Sequence, residues 1–502
     1  MFNKVIKILL IVLIIFTPLA FGSMEIWAFS LMELGILLIL ILWAIQTGIV
    51  QFRASEESSN SAIAPPGVSA PGLDPGRGRP AQSAIPIVLL AFFLLLVLFQ
   101  IVPLPSGILK ILSPKTFALR SELTLGPSAS SFPLSFFPLL TQIEFFKWLT
   151  LAGLFIFLLG WRPLEEGDET RKQLLVAVMA AGALESLYGM FEFFSGHRHI
   201  LNVAAENLIS SATGTFVNRN YFAGYLLMVI PLSMGFLFSR EVTRTGRYRG
   251  WRHGLSSLDG KTLLIGFGVI VMILGLLFSA SRMGILSLLL SFTLIILFFR
   301  SSRKGGRFSR GSILILGLAI LWAAWIGLDA VISRFFTASE DFKGRWMFWV
   351  NTFQIYKDFP IFGSGLGTFF QVFPMYRSSH IVGLVTHAEN DFLQLLSEVG
   401  ALGMSPVVIL FFFLLWKVFS GVRALTDGEP ARYIALGGLV GILALMFHSL
   451  VERNIQVPAN AFLYTFVFAL VLRVAQISQA KPRTPKLDEP NKPTAPGHST
   501  TQ

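Results

Sequence analysis

Long apolar runs alternate with short polar bursts through most of this chain, and the apolar runs have the length of a membrane crossing. Stretches near residues 5–22, 26–46, 85–103, 143–161, 172–194, 219–239, 261–279, 284–300, 312–329, 390–418, 431–451 and 459–474 each approach the roughly 20 residues an α-helix needs to traverse hydrocarbon. The pattern predicts an all-α, polytopic integral membrane protein with about 12 transmembrane helices, since helices satisfy their own backbone groups where water is absent.

The interruptions divide the chain. Residues 1–50 read as an N-terminal transmembrane hairpin. Lys4, Lys7, the apolar stretch after them and Ala20-Phe21-Gly22 have the layout of a signal peptide, but a second span follows at once, which favours an uncleaved helix. Residues 51–84 and 476–502, poor in large apolar residues, predict a disordered cytoplasmic linker and a disordered cytoplasmic tail. The membrane domain, 85–475, has two long outer segments, 104–142 and 330–389. In the second, Gly344 to Tyr356 predicts a short amphipathic helix with Trp346 and Trp349 on one face, suited to the headgroup boundary.

Composition agrees: 54% hydrophobic, 14% charged and a mean hydropathy of +0.68 exclude a soluble globular domain. A net charge of +12 would elsewhere point to nucleic acid. Here most of the 40 Lys and Arg fall in segments that alternating helices put on one side, chiefly 240–261 and 300–310. The charge therefore reports orientation, with both termini cytoplasmic and no nucleic-acid partner. The absence of Cys excludes disulfides, iron–sulfur clusters and thiolate zinc sites.

Polar residues at the outer boundary carry the candidate chemistry. Arg282 lies between two apolar runs with almost no loop, where a charge is costly and a functional role is the default over a snorkelling anchor. Its fork suits a diphosphate. Arg219 opens another span beside Asn218 and Asn220, either as a ligand for the same anion or as an interfacial anchor. His387, Asn390 and Asp391 share a helical face, with Glu389 between them, as a general base with supporting groups or as a capping cluster. Gly363, Gly365 and Gly367 alternate after Pro360 and leave backbone amides open to a ligand. Gly400 and Gly403 read as packing or a helix break. Glu33, Glu185, Glu192 and His448 fall in or near spans and would suit a transport path or a polar bundle interior.

Taken together and in order, Thr215–Ala223, Ser279–Gly284, Arg345–Trp349, Lys357–Phe369, His387–Gln394 and Glu398–Gly403 resemble the signature of the O-antigen ligase and polymerase superfamily, over roughly residues 140–475. The resemblance implies a bacterial inner-membrane glycosyltransferase. It would take glycan from an undecaprenyl-diphosphate donor to a sugar hydroxyl, of a glycan or of a lipid A-core acceptor, at the periplasmic face. It further implies that Arg282, with Arg219 or Arg345, holds the diphosphate and that His387 is the base, without metal or cofactor. Many members carry a second His directly before the Asn, where this chain has Glu389. The base is thus His387 or Glu389, and the departure leans towards a polymerase. The rival expectation is a transporter or flippase of the same lipid-linked glycan, which commonly shows two corresponding halves; the 330–403 elements have no repeat in the first half.

Overall fold

A computed structural model describes residues 2–61, 84–123, 130–166, 168–196, 199–201, 203–204, 211–244, 259–300, 317, 338–379, 381, 383–426 and 429–480. It is mostly helical. The long helices are α1 (Phe2–Leu19), α2 (Ile26–Ser61), α3 (Ile85–Ile101), α6 (Pro138–Gly160), α8 (Asp168–Ser195), α9 (Arg219–Arg244), α10 (Gly260–Phe278), α11 (Arg282–Arg300), α12 (Ala338–Asp358), α14 (Asp391–Ala424), α15 (Pro430–His448) and α16 (Pro458–Ala480). Short helices α4 (Ser106–Leu112), α5 (Pro114–Leu123), α7 (Arg162–Glu166) and α13 (Phe369–Val372) sit in the connections. Two small antiparallel strand pairs, Leu104–Pro105 with Ser131–Phe132 and His199–Ile200 with Val203–Ala204, staple two of the loops.

Nine of the described helices are long and apolar enough to cross a membrane, and α3 and α11 contribute shorter apolar helices. The protein is a multi-pass membrane protein of all-α class. Eleven of the twelve expected spans appear as helices, and the expected span 312–329 lies, apart from Gly317, outside the described residues. Helix α2 continues to Ser61, into the stretch read as a linker; the rest of that stretch up to residue 83, and the tail from 481, lie outside the described residues. The expected amphipathic helix is longer than its pattern, because α12 runs from Ala338 to Asp358. Trp346 and Trp349 do share its face, with ring centroids 6.3 Å apart.

At the centre lie α9, α15 and α16, whose apolar side chains are almost wholly buried, with the remaining spans around them. Outer helices turn large apolar residues such as Leu95, Leu139 and Phe412 outwards, as lipid contact requires. Lipid gives helices no hydrophobic reason to associate, so close approach of small residues supplies the attraction. A Cβ on Gly437 of α15 would stand 2.4 Å from the Pro231 carbonyl oxygen and 2.9 Å from the Gly235 Cα of α9, which brings the two backbones together.

The connections separate into two ends. At one, Trp161 donates to Asn3 (3.0 Å) and Arg240 pairs with Asp259 (3.0 Å). At the other, the Ala212 amide reaches Phe278, Asn460 reaches the Tyr221 carbonyl, Thr215 reaches Pro18 and the Asp391 amide reaches Ser449. Between α12 and α14, Ile355, Phe359, Phe369, Val372, Phe373 and Ile381 form a small separate core that packs this segment at the second end. Gly437→Val should cost about 1–3 kcal/mol through overpacking of the α9–α15 contact, read as a lower Tm of the detergent-solubilised protein; an unchanged Tm would remove that contact as a stabilising one.

Candidate functional site

The polar residues at this second end surround the beginnings of α9, α11 and α14. A helix N-terminus exposes amides without intrahelical partners and carries the positive end of the helix dipole. Two of these three helices open on arginine, Arg219 and Arg282. A Cβ on Gly284 would sit 2.9 Å from Cβ of Ala223, so the first turns of α11 and α9 touch and the two arginines open neighbouring helices. Ala280, at φ 50°, and Ser281, whose hydroxyl accepts from the Gly284 amide (3.3 Å), turn the chain sharply into α11.

Ala388 is fully buried and fixed from both sides. Its carbonyl accepts from Trp349 Nε1 (3.1 Å) and its amide donates to Gln394 Oε1 (3.0 Å). His387 and Glu389 are therefore presented by an anchored segment. Glu389 has a φ of 52°, a left-handed conformation uncommon for a residue with a Cβ and concentrated at functional sites. Asn390 caps α14 by accepting from the Leu393 amide (2.9 Å). Asp391 is buried, and its Oδ2 accepts from the amides of Asn454 and Ile455, at 2.8 Å each. That clamp brings the α15–α16 connection against the His387 segment.

Two residues of this connection then meet the expected ones. Arg453 Nη1 hydrogen-bonds His387 Nε2, and its guanidinium lies 5.8 Å from the Tyr221 ring centroid. Arg345 of α12 ion-pairs with Glu452 and donates to the Val451 carbonyl (2.6 Å). Glu452 is 2% exposed. The structure thus joins His387, Glu389, Arg345 and the start of α9 into one cluster, with Arg282 beginning the helix alongside. Arg345 commits two donors inside the protein and holds Glu452.

The electrostatics separate the two candidate bases. Burial, then Arg453 and Lys147, drive His387 down to about 2, so its imidazole is neutral and its Nε2 lone pair faces a cationic donor. Burial raises Glu389 above the ordinary carboxylate range although Arg345 and Arg453 oppose it. Glu452 is raised too, by burial and by Glu389, against Arg345. A raised carboxyl is the better proton acceptor near neutral pH.

The glycine segment serves another purpose than the amide spacing predicts. Gly363, Gly365 and Gly367 have φ of 74°, 113° and 79°. The Gly367 and Phe369 amides donate to the Glu398 carboxylate (3.0 and 3.1 Å), and the Gly365 amide to the Glu398 carbonyl (3.0 Å). Their anion is internal. The segment covers a break in α14, where Gly400 at φ 64° frees backbone groups, and Ala401 and Leu402 donate to the Pro360 and Ile361 carbonyls.

Sequence reasoning passed over Glu452, Arg453 and the buried Lys147, which pairs with Glu144 (2.7 Å). One signal was present: Glu452 and Arg453 follow His448 at the end of an apolar run that the charge pattern predicts to face outwards, where the orientation rule leaves few arginines.

Residues 267–408 match the family model for O-antigen ligase, a segment that contains Arg282, Arg345, His387 and Glu389 but neither Arg219 nor Glu452. The match supports placing the chain in the O-antigen ligase and polymerase superfamily. No curated protein matches the chain significantly. Asp391→Ala should destabilise the protein by about 1–3 kcal/mol for each amide left without an acceptor, whereas Asp391→Asn, which keeps an acceptor oxygen, should recover most of the Tm; equal losses in the two variants would refute the clamp.

Proposed function

We propose that this protein, a multi-pass membrane protein with an O-antigen ligase segment, is a glycosyltransferase acting at the periplasmic face of the bacterial inner membrane. Its donor is a glycan on undecaprenyl diphosphate and its acceptor a hydroxyl of another glycan or of a lipid A core. The observation that carries the reading is the gathering of arginines and helix N-termini beside a fixed carboxyl-bearing segment at one end of the bundle.

In this reading Arg282 and Arg219 hold the diphosphate. As the glycosyl–oxygen bond breaks, its electron pair passes to the diphosphate, and the guanidinium groups and aligned amides stabilise the growing charge without a metal. Arg453, between Tyr221 and His387, extends the same cationic wall. Glu389 takes the proton of the acceptor hydroxyl as that oxygen bonds to the sugar. His387, neutral and engaged by Arg453, orients the wall instead of accepting the proton. The departing chemistry is stored in the lipid diphosphate, so no nucleotide is needed.

Arg282→Ala should lower transfer about 10²–10³-fold with insertion intact, measured on purified protein with lipid-linked glycan. Normal turnover would remove the diphosphate grip. Glu389→Gln should cost more than His387→Ala, and the reverse order would return the base role to the histidine. EDTA should leave turnover unchanged. The class of acceptor is read from a gel of surface glycans in a deletion strain: single repeat units on the normal anchor identify a polymerase, and full-length polymer held on the lipid carrier identifies a ligase.

A further inference from the structure

We infer that Glu185, fully buried in α8, is an uncharged carboxylic acid whose hydrogen bonds latch the turn that presents Arg219, which makes it a positioning residue for the anion-binding start of α9. The inference rests on the proposed role of Arg219 in holding the diphosphate, but the latch has its own geometric ground. Glu185, the turn and Arg219 all lie outside the segment matched to the O-antigen ligase family.

Glu185 and Thr215 are both buried. Glu185 Oε2 accepts from the Thr215 amide (2.8 Å), and its Oε1 lies 2.7 Å from the Thr215 hydroxyl oxygen. The same hydroxyl oxygen lies 2.8 Å from the Pro18 carbonyl oxygen at the end of α1. A hydroxyl has one proton to give and a carbonyl has none. If Thr215 donates to Glu185, the Pro18 carbonyl faces an oxygen with no proton between them. If Thr215 donates to Pro18, the contact with Glu185 needs its proton from the carboxyl. The protonated acid satisfies all three contacts at once: Glu185 Oε1 donates to Thr215 Oγ1, Thr215 Oγ1 donates to Pro18, and the Thr215 amide donates to Glu185 Oε2.

The surroundings agree with a neutral group. No Lys, Arg or His among the described residues ion-pairs with Glu185, and its titratable neighbours are Tyr188 of the same helix and Tyr225 of α9, which carry no charge near pH 7. An ionised carboxylate buried there among apolar helices would be costly. Both oxygens are engaged and neither is exposed, so the residue serves the bundle interior and not a transport path.

The latch sets the entry into α9. Gly214, at φ 59°, runs so close to α8 that a Cβ on it would stand 2.3 Å from Glu185 Oε2, and a Cβ on Gly189 would stand 2.5 Å from the Gly214 nitrogen. The Ala212 amide donates to the Phe278 carbonyl at the end of α10 (2.9 Å). Three residues beyond Thr215, the Asn218 side chain accepts from the Asn220 amide (2.8 Å) and its carbonyl from the Tyr221 and Phe222 amides. The turn thus ties α1, α8 and α10 to the residue directly before Arg219, and Glu185 is the group that joins two of those helices to it.

The test measures binding of undecaprenyl diphosphate to the full-length protein in lipid nanodiscs. Glu185→Gln offers one donor and one acceptor, as the neutral acid does, and should bind within about twofold of the wild type. Glu185→Leu and Thr215→Val break the relay and should bind about five- to tenfold more weakly; where Glu185→Leu does not fold, Thr215→Val makes the comparison. In an Arg219→Ala background the same substitutions should change binding by less than about twofold, because the latch acts through the arginine. Equal losses in both backgrounds mark a merely structural role and overturn the positioning. A second readout needs no ligand: infrared spectra at neutral pH, wild type minus Glu185→Gln, should contain a carboxylic-acid band, and a carboxylate band in its place overturns the latch. If Arg219→Ala binds as tightly as the wild type, the diphosphate role of Arg219 falls, while the infrared band still decides the state of Glu185.

Discussion

The Asp391 carboxylate carries the arrangement of the polar end. With one oxygen it receives the backbone amides of Asn454 and Ile455, and so ties the first turn of α14 to the connection between α15 and α16. Everything adjacent follows from that clamp. Arg453 reaches His387 because residue 454 is fixed, and Glu452 reaches Arg345 for the same reason. A buried carboxylate is costly unless donors meet it, and two amides from one turn meet the Oδ2 of Asp391.

A second carboxylate, Glu398, solves a different problem about two turns further along the same helix. Breaking a membrane helix exposes amides and carbonyls that lipid cannot satisfy. The break at Gly400 is covered by the segment from Pro360 to Phe369, which supplies carbonyls to Ala401 and Leu402 and amides to Glu398, while Gln100 of α3 bonds the Phe362 and Glu398 carbonyls and receives the Leu366 amide. The positive φ of Gly363, Gly365 and Gly367 allows this close backbone contact. The loop that frames the site is thereby bonded into the break of α14, not an appendage to it.

Two further carboxyls, Glu389 and Glu452, are in a different state. Glu452 pairs with Arg345, and burial raises both carboxyls although Arg345, and for Glu389 also Arg453, oppose it. His387, by contrast, has its ring nitrogen turned to Arg453 and is held neutral by burial and by positive neighbours. The proposed division of labour between a cationic wall and a proton-accepting carboxyl rests on these surroundings, since the intrinsic pKa values of His and Glu alone would favour the histidine.

By itself the sequence determined the class of the protein, the positions of eleven described helices and the boundary at which its unusual polar residues sit, because hydrocarbon imposes one length and one composition on whatever crosses it. Arg219, Arg282, His387 and Glu389 were visible for the same reason: a charge between apolar runs stands out. The partners were not visible. Arg453 lies more than sixty residues from His387 in the chain, and their contact depends on how α14, α15 and α16 pack; the glycine spacing was equally compatible with an external anion and with Glu398. Only the tertiary structure decided which amide met which carboxylate, because that choice depends on distances between helices, and an apolar period along one chain carries no information about them.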